Sequence, residues 1–587
     1  MLASELLAPR GATSLGPAQR SAALTALRRA GPRTPLDVLV VGGGVVGCGA
    51  ALDAAARGLS VGLVEAGDLA IGTSSRSSRL AHGGLRYLEQ RQFALVHEAL
   101  VERGLLLGHL APHLVRPLPF LFPLTGRVVE RSYLAAGVAL YDLLSRMDAR
   151  GGYLPRPRTL SMAAVRGLAP GLAPDGLTGA IRYHDAQIDD ARHTVALART
   201  AAGLGAAVLT AAAVTGLVRA RPDDGTPTRV VGARVRDAES GEVLEVHARV
   251  VLSATGVWTD ELVGMATGMP SHDVRRSRGV HLVVPRSTFR SATAVITRTP
   301  HSVLFLLPWG RHWLVGTTDT DDEGPLDCPA VTAADVEYLL GQANRWLTRP
   351  LGTDDVVGVY AGLRPLLAGA DPGTTTLSRE HAVLHPTPGF VAVVGGKYTT
   401  YRVMAADAVD AVAHQLPGPV PPSRTDQLPL VGAVGFRAQW GERVHRARRA
   451  DLPVAVVETL LRRHGDRLDD VLDLVAAERS LAAPLHPESP VLRAEAVVAA
   501  RDEGARSVAD VLVRRTRIAV QSRDGGRAAA LDTARLVAPV LGWDAARIAR
   551  EAAALASAQP GVPGTDLPRP RAGGATSRTT RPAGAPA

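Results

Sequence analysis

Asp37-Val38-Leu39-Val40-Val41-Gly42-Gly43-Gly44-Val45-Val46-Gly47, continued through to Val61-Gly62-Leu63-Val64-Glu65, is the stretch from which the rest of the chain takes its meaning. The apolar run ahead of Gly42 reads as a buried strand, and Gly42, Gly44 and Gly47 stand in the G-x-G-x-x-G spacing. Small helix-favouring residues follow (Ala50, Ala51, Ala54, Ala55, Ala56), Gly58 stops them, and a second apolar strand ends on Glu65. Each part has a physical task. Without a Cβ at Gly42 and Gly44, backbone N–H groups between Gly43 and Val45 can approach a pyrophosphate at the helix N-terminus, where the dipole favours anions. Gly47 lets helix and strand pack closely, and Glu65, with Ala66 beside it, can accept ribose hydroxyl protons. A glutamate there disfavours a 2′-phosphate, which speaks against NADP and leaves FAD and NAD.

At 587 residues the chain can form two or more domains. No apolar run approaches the roughly 20 residues of a membrane span, and the N-terminal segment lacks the continuous apolar core of a secretory signal. With only Cys48 and Cys328, neither a disulfide framework nor a thiolate metal cluster is expected, and a cytosolic setting fits. The net charge of +10 sits mostly at the ends: residues 1–36 carry five arginines against Glu5, and residues 567–587 carry four arginines and no acid. The body is therefore nearly balanced, which argues against nucleic acid as a partner. By composition, residues 1–35 and 559–587 read as disordered basic tails. Lysine and arginine total 66, yet Lys397 is the one lysine. A compact ammonium kept at a single position suggests a task that a planar guanidinium cannot perform.

After Glu65 comes Thr73-Ser74-Ser75-Arg76-Ser77-Ser78-Arg79-Leu80-Ala81-His82-Gly83-Gly84-Leu85-Arg86-Tyr87-Leu88-Glu89, poor core material. As a site, its hydroxyls and glycine N–H groups line a cofactor while His82, Arg86 and Tyr87 project at a substrate. Together with the opening strand, this run resembles the FAD-dependent glycerol-3-phosphate dehydrogenases, within the wider glycine/D-amino-acid oxidase-like flavoproteins. His82-Gly83-Gly84-Leu85-Arg86-Tyr87-Leu88 is the part most specific to that family, and the resemblance covers roughly residues 36–555.

Helices are expected from Phe93 to Leu107 and from Tyr133 to Met147, with an extended crossing around Pro117, Pro119 and Pro123. Asp189 or Asp190 suits the N-cap of a following helix, and the segment from Asp185 to Arg192 is similar to a family element. Residues 230–236 and 243–251 alternate as a hairpin, whose second arm runs into Ala254-Thr255-Gly256. Such a meander favours FAD over NAD. Residues 279–320 read as strands of a second, antiparallel domain carrying His281, Gly316, Thr317, Thr318 and Asp319. The family often places serine before this histidine, where this chain has Val280. Tyr360-Ala361-Gly362-Leu363-Arg364-Pro365-Leu366 and Ser378-Arg379-Glu380-His381 match two further family turns. Strand, Gly395-Gly396, Lys397 and Thr399 then open a helix. Residues 417–422 read as a linker, and residues 435–558 as helical; there Arg514, Arg515 and Arg517 stand beside Asp502, Glu503 and Asp510 as ion-paired faces.

The expected architecture is thus mixed α/β. A Rossmann-type FAD-binding part (36–115, 180–265 and 388–416) joins an antiparallel-sheet substrate part (116–179 and 266–387) and a C-terminal helical domain (425–558). The resemblance implies oxidation of sn-glycerol 3-phosphate to dihydroxyacetone phosphate by hydride transfer to FAD, with electrons passed to quinone. It also implies peripheral contact with the inner face of the cell membrane and allows a homodimer. Arg86, Arg364, Arg379 and Lys397 are the candidate phosphate clamp, with Tyr87, Thr318 and Asp319 at its border. His82 ranks ahead of His281 as base, while Lys397 or Arg364 can stabilise a developing alkoxide. Expected cofactor contacts are Gly42, Gly43, Gly44, Val45, Gly47, Glu65, Ala66, Thr73, Ser74, Ser75, Ser77, Ser78, Leu80, His82, Gly83, Gly84, Ala254, Thr255, Gly256, Gly362, Arg364, Gly396, Lys397 and Thr399. A glycerol-3-phosphate oxidase using oxygen is the nearest alternative, and a non-catalytic flavin-binding protein the more distant one.

Overall fold

The structure, a computed structural model, describes residues 11–126, 129–147, 154–173, 175–220, 228–271, 274–300, 303–367 and 380–555. Its first sheet grows from the strand Leu36–Val41, which lies parallel between Val61–Val64 and Val243–Ser253. Val38, Leu39 and Val40 are fully buried because helices and a meander cover both faces, as a parallel sheet requires. Helix Val45–Ala56 packs on one face with Asp190–Gly203 and Tyr401–Ala413, its small residues letting all three approach closely. Ala207–Leu209 extends the sheet on one side, Phe390–Gly395 and His381–Thr387 on the other. The expected hairpin is present as Arg229–Asp237 paired with Val243–Ser253, and Ala212–Ala220 completes a meander.

Among the described residues the second sheet has ten strands. Val274–Pro285 pairs antiparallel with both His312–Gly316 and Gly358–Leu367, and Val115–Leu124 pairs with Gly179–Ile188 over their whole length. It is antiparallel as expected except where Ala294–Arg298 joins Val115–Leu124 in parallel. The division drawn from sequence shifts in three places. Leu80–Ala81 and Gly179–Ile188, placed with the nucleotide part, belong to the second sheet, whereas His381–Thr387, placed with the substrate part, belongs to the first.

The N-terminal reading is corrected as well. Residues Pro17–Arg29, expected to be disordered, form a helix against the first sheet. Leu27 is fully buried there, and the Arg20 guanidinium reaches the Asp237 carboxylate and the Thr210 carbonyl. Residues 1–10 and the expected tail 559–587 lie outside the described residues. Beyond the linker, helices from Phe436–Gly441 to Ala545–Ala554 make the C-terminal domain. Its basic run is ion-paired, but across the domain boundary: Arg514 and Arg515 meet Asp68, and Arg517 meets Asp190. Of the expected local acids, Asp510 pairs with that run through Arg514.

Candidate active site

The nucleotide end is made of backbone. Gly42 has φ +111°, and a Cβ there would lie 2.6 Å from the Ala254 carbonyl oxygen. A Cβ on Gly47 would stand 1.9 Å from the Gly42 oxygen, so helix and loop can approach only without one. No side chain caps the helix at Gly44, and a Cβ there would come within 3.2 Å of Ser74 Oγ, which accepts from Val45 N at 2.9 Å. At the end of its strand, Glu65 accepts from Gly43 N at 2.6 Å and from Gly67 N at 2.8 Å; burial raises its pKa from the ordinary carboxylate value. A glycine-lined helix N-terminus beside a held carboxylate fits the dinucleotide that the sequence implies, although Val45 N and Gly43 N here donate to Ser74 and Glu65. Ala254, Thr255 and Gly256 follow the neighbouring strand at the same end, with Thr255 Oγ1 3.0 Å from Ser253 Oγ.

Other expected cofactor hydroxyls are engaged by protein. Thr73 Oγ1 donates to Leu363 O (2.6 Å), Ser77 Oγ to Asp190 (2.7 Å), and Ser78 Oγ hydrogen-bonds His281 Nε2 at 2.8 Å. Ser75 O accepts from Arg517 at 2.8 Å. The Thr73 and Ser78 hydroxyls thus fasten this loop to the second sheet, the Ser77 hydroxyl fastens it to Asp190, and the Ser75 carbonyl fastens it to the C-terminal domain.

The reaction end is made of side chains, and strand register sets it out. On Gly358–Leu367, Tyr360, Gly362 and Arg364 share one face; opposite them stand His281, Gly279 and Ser277. Gly316 flanks His281 from the other neighbour strand. Here glycine makes room: a Cβ on Gly316 would meet His281 Cδ2 at 2.4 Å, one on Gly279 the Arg364 guanidinium at 2.4 Å, and one on Gly362 the Arg76 carbonyl at 2.6 Å. His281 stacks on Tyr360 at 4.9 Å, and Tyr360 donates to Ser77 O at 2.8 Å. Burial, with Arg364 nearby, lowers the His281 pKa to about 3, so the ring is neutral; its buried Nδ1 has no hydrogen-bond partner among the described residues.

Arg364 is held from several sides. It donates to Ser277 Oγ (3.1 Å), Asp319 (3.2 Å), Thr317 Oγ1 (3.0 Å) and Thr318 O (3.0 Å). Asp319, expected at the substrate, is the counter-ion of Arg364; the Thr318 side chain is buried between Val280 N and Arg278 O, at 3.0 and 3.2 Å. Val280 is wholly buried, and the histidine's hydroxyl partner comes instead from Ser78.

A second cluster forms around the lysine. Lys397 precedes the short turn Tyr398–Thr400 that opens helix Tyr401–Ala413, and its Nζ lies 3.7 Å from the centre of the Tyr87 ring. Gly84 (φ +80°) packs under that ring. Thr399 Oγ1 accepts from His82 N at 3.1 Å and lies 3.3 Å from His82 O, so the two loops are stitched together. Gly396, at φ +83°, closes on Met404. Arg86 opens the short helix beside Tyr87, and Leu80 lies in the strand leading to His82. Arg379 lies outside the described residues.

Sequence reasoning missed what supports the His82–Gly84 loop. Gly83 N donates to Tyr141 OH at 2.8 Å, Tyr141 donates to Asp185 at 2.8 Å, and Arg103 holds Asp185 at 2.6 Å, all buried. Tyr360 could have been found, since it shares a strand face with Arg364; Tyr141, on a helix far along the chain, carries no such signal.

Residues 37–402 match a family model described as FAD dependent oxidoreductase, and residues 423–548 one described as the C-terminal domain of alpha-glycerophosphate oxidase. Glycerol-3-phosphate dehydrogenase 2 of Mycobacterium tuberculosis is 51% identical over 542 residues, covering 92% of this chain and 90% of that one. Glycerol-3-phosphate dehydrogenase of Mycobacterium leprae is 49% identical over 580 residues, 97% of either chain. Among solved structures, the glycerol-3-phosphate dehydrogenase of Bacillus halodurans complexed with FAD aligns with a TM-score of 0.73 at 27% identity, over 92% of this chain and 97% of that one.

Proposed function

The chain belongs to the FAD-dependent glycerol-3-phosphate dehydrogenases, and on that premise we propose how its residues divide the oxidation of sn-glycerol 3-phosphate to dihydroxyacetone phosphate and where the electrons go. FAD, when bound in the Gly42–Gly47 cradle, supplies the two-electron acceptor for the hydride at C2. Lys397 and Arg364, with Arg86 and Arg379, hold the phosphate dianion and so orient C2. His82 takes the C2 hydroxyl proton. His281, neutral and fixed by Ser78 and Tyr360, offers Nδ1 as a hydrogen-bonding group rather than as the base. Asp319 keeps the Arg364 fork oriented.

The observation that carries this reading is the Lys397 ammonium, the chain's one lysine, seated over Tyr87 beside the His82–Gly84 loop.

Quinone is the acceptor we assign, reached at the inner face of the cell membrane. No helix among the described residues is long and apolar enough to cross a membrane. What supports surface contact is the helix Val129–Arg146: Tyr133, Leu140 and Leu143 are exposed, with Met147 just beyond, while Tyr141 on its inner side touches the site loop. Anaerobic addition of glycerol 3-phosphate to the purified yellow protein is expected to bleach the flavin, and a soluble quinone to restore its colour faster than oxygen does. An unbleached spectrum overturns the residue assignment; faster recovery with oxygen overturns the acceptor.

A further inference from the structure

A cleft of about 240 Å³ lies where the second sheet meets the C-terminal helices, and its walls include none of the reaction-site residues described above. Seven arginines line it against two carboxylates, Asp189 and Glu488. Four of the seven are committed to carboxylates: Arg79 to Asp189, Arg463 to Glu495, Arg515 to Asp68 and Arg517 to Asp190. Arg116, Arg311 and Arg462 differ, because none of them has an ion pair among the described residues.

Arg116 turns its fork on a neutral acceptor, donating Nε and Nη2 to Gln187 Oε1 at 3.1 and 2.5 Å; that amide is fixed by donating to Pro308 O at 2.8 Å. Arg462 lies over the Trp440 ring at 4.4 Å, and the nearby Glu458 is taken by Arg443 at 2.7 Å. Arg311 stands exposed at the rim. Burial and the neighbouring cations Arg462, Arg79 and Arg286 lower the Arg116 pKa to about 10. Half-buried guanidinium groups crowded together without an ion pair of their own carry a desolvation and repulsion cost that a bound anion offsets. Their planar forks suit phosphoryl oxygens in particular. Leu114, Ile188 and Trp309 supply an apolar wall for whatever bears the phosphate.

We propose that this cleft is a second anion site, binding the phosphoryl group of a small organic phosphate between Arg116, Arg311 and Arg462, apart from the substrate clamp. It stands independently of the residue roles assigned to the reaction site. The shared chemistry is a phosphate ester, and its source is either a soluble metabolite or a phospholipid headgroup.

The test titrates the FAD-loaded enzyme with sodium pyrophosphate by calorimetry and, separately, sediments it with phosphatidylglycerol vesicles. In an Arg116→Gln/Arg462→Gln variant, one class of pyrophosphate sites is expected to weaken at least about tenfold. The KM for glycerol 3-phosphate should stay within about twofold of the parent, since neither residue touches the clamp. Loss confined to vesicle binding assigns the phosphoryl group to a lipid; loss of pyrophosphate binding assigns it to a soluble ester. If the double variant fails to retain flavin, Arg311→Glu at the exposed rim carries the test, with the same expected direction. Variants that hold flavin and bind both pyrophosphate and vesicles like the parent overturn the site.

Discussion

The nucleotide cradle and the reaction site lie in one molecule but are built in opposite ways. The cradle is backbone geometry, written within some thirty consecutive residues around Gly42–Gly47 and Glu65, and its tolerances are set by atoms that cannot move aside. The reaction site we propose is made of side chains from His82, His281, Arg364 and Lys397; strand register sets His281 and Arg364 on one face, and the Thr399 contact ties the His82 loop to the Lys397 turn. Changes in the first should therefore act on cofactor binding and folding, and changes in the second on turnover with the flavin still in place.

Gly47→Ala tests the sharper half of that contrast. In an ordinary helix interior this change stabilises by about 1 kcal/mol. Here the new methyl would sit 1.9 Å from a carbonyl oxygen fixed by the cradle itself. The expected outcome is the reverse of the helix-propensity effect: soluble yield falls and the purified protein carries little flavin, read as absorbance per protein. A variant with full flavin content would show that the cradle can widen, and the contrast would fail.

Lys397→Met tests the other half. Loss of one charge-assisted contact to the bound phosphate dianion costs on the order of 10²–10³ in kcat/KM. Flavin absorbance should remain as in the parent. With the Lys397 Nζ buried, the Tyr87 contact contributes about 2 kcal/mol, so a drop in thermal midpoint is expected as well. Lys397→Arg restores the charge but not the compact ammonium, and it should recover only part of the loss. Near-normal kinetics in the methionine variant would remove the lysine from the clamp.

The same contrast explains what could be read from the sequence. A strand, three spaced glycines and a terminal acid are local, so the cradle and the parallel sheet around it were legible residue by residue. Composition singles out Lys397 as the one lysine, and the role we propose for it rests on that and on its place over Tyr87. His281 was legible as a strand residue, but its environment was not: it depends on Gly316 and Tyr360, contributed by two strands that the sequence does not pair. Asp319 illustrates the limit, because its partner Arg364 lies far along the chain and only the folded sheet shows that the two neutralise each other. The N-terminal helix was misread for a similar reason. Its alanines and arginines look like a solvated tail, and what orders them is tertiary: Leu27 in the core and Arg20 against Asp237.

The smallest expected effect comes from the one place where the two modes of construction meet. Gly83 is backbone, yet its N–H is held by a side chain, Tyr141, whose hydroxyl passes the bond on to Asp185. Tyr141→Phe removes a single oxygen from a buried chain, depriving Gly83 N of the Tyr141 acceptor and Asp185 of the Tyr141 donor while the Arg103 contact stays. The stability loss expected for such an orphaned group is about 1–3 kcal/mol, measurable as a drop in thermal midpoint. If the tyrosine positions the loop, kcat should also fall by about tenfold, because His82 is adjacent and a small misplacement of a reacting group is costly. KM and flavin absorbance should barely change, since neither the phosphate clamp nor the cradle is touched. A variant that loses stability while keeping its kcat would assign Tyr141 to packing, and would show that the Thr399 contact alone suffices to hold the His82 loop.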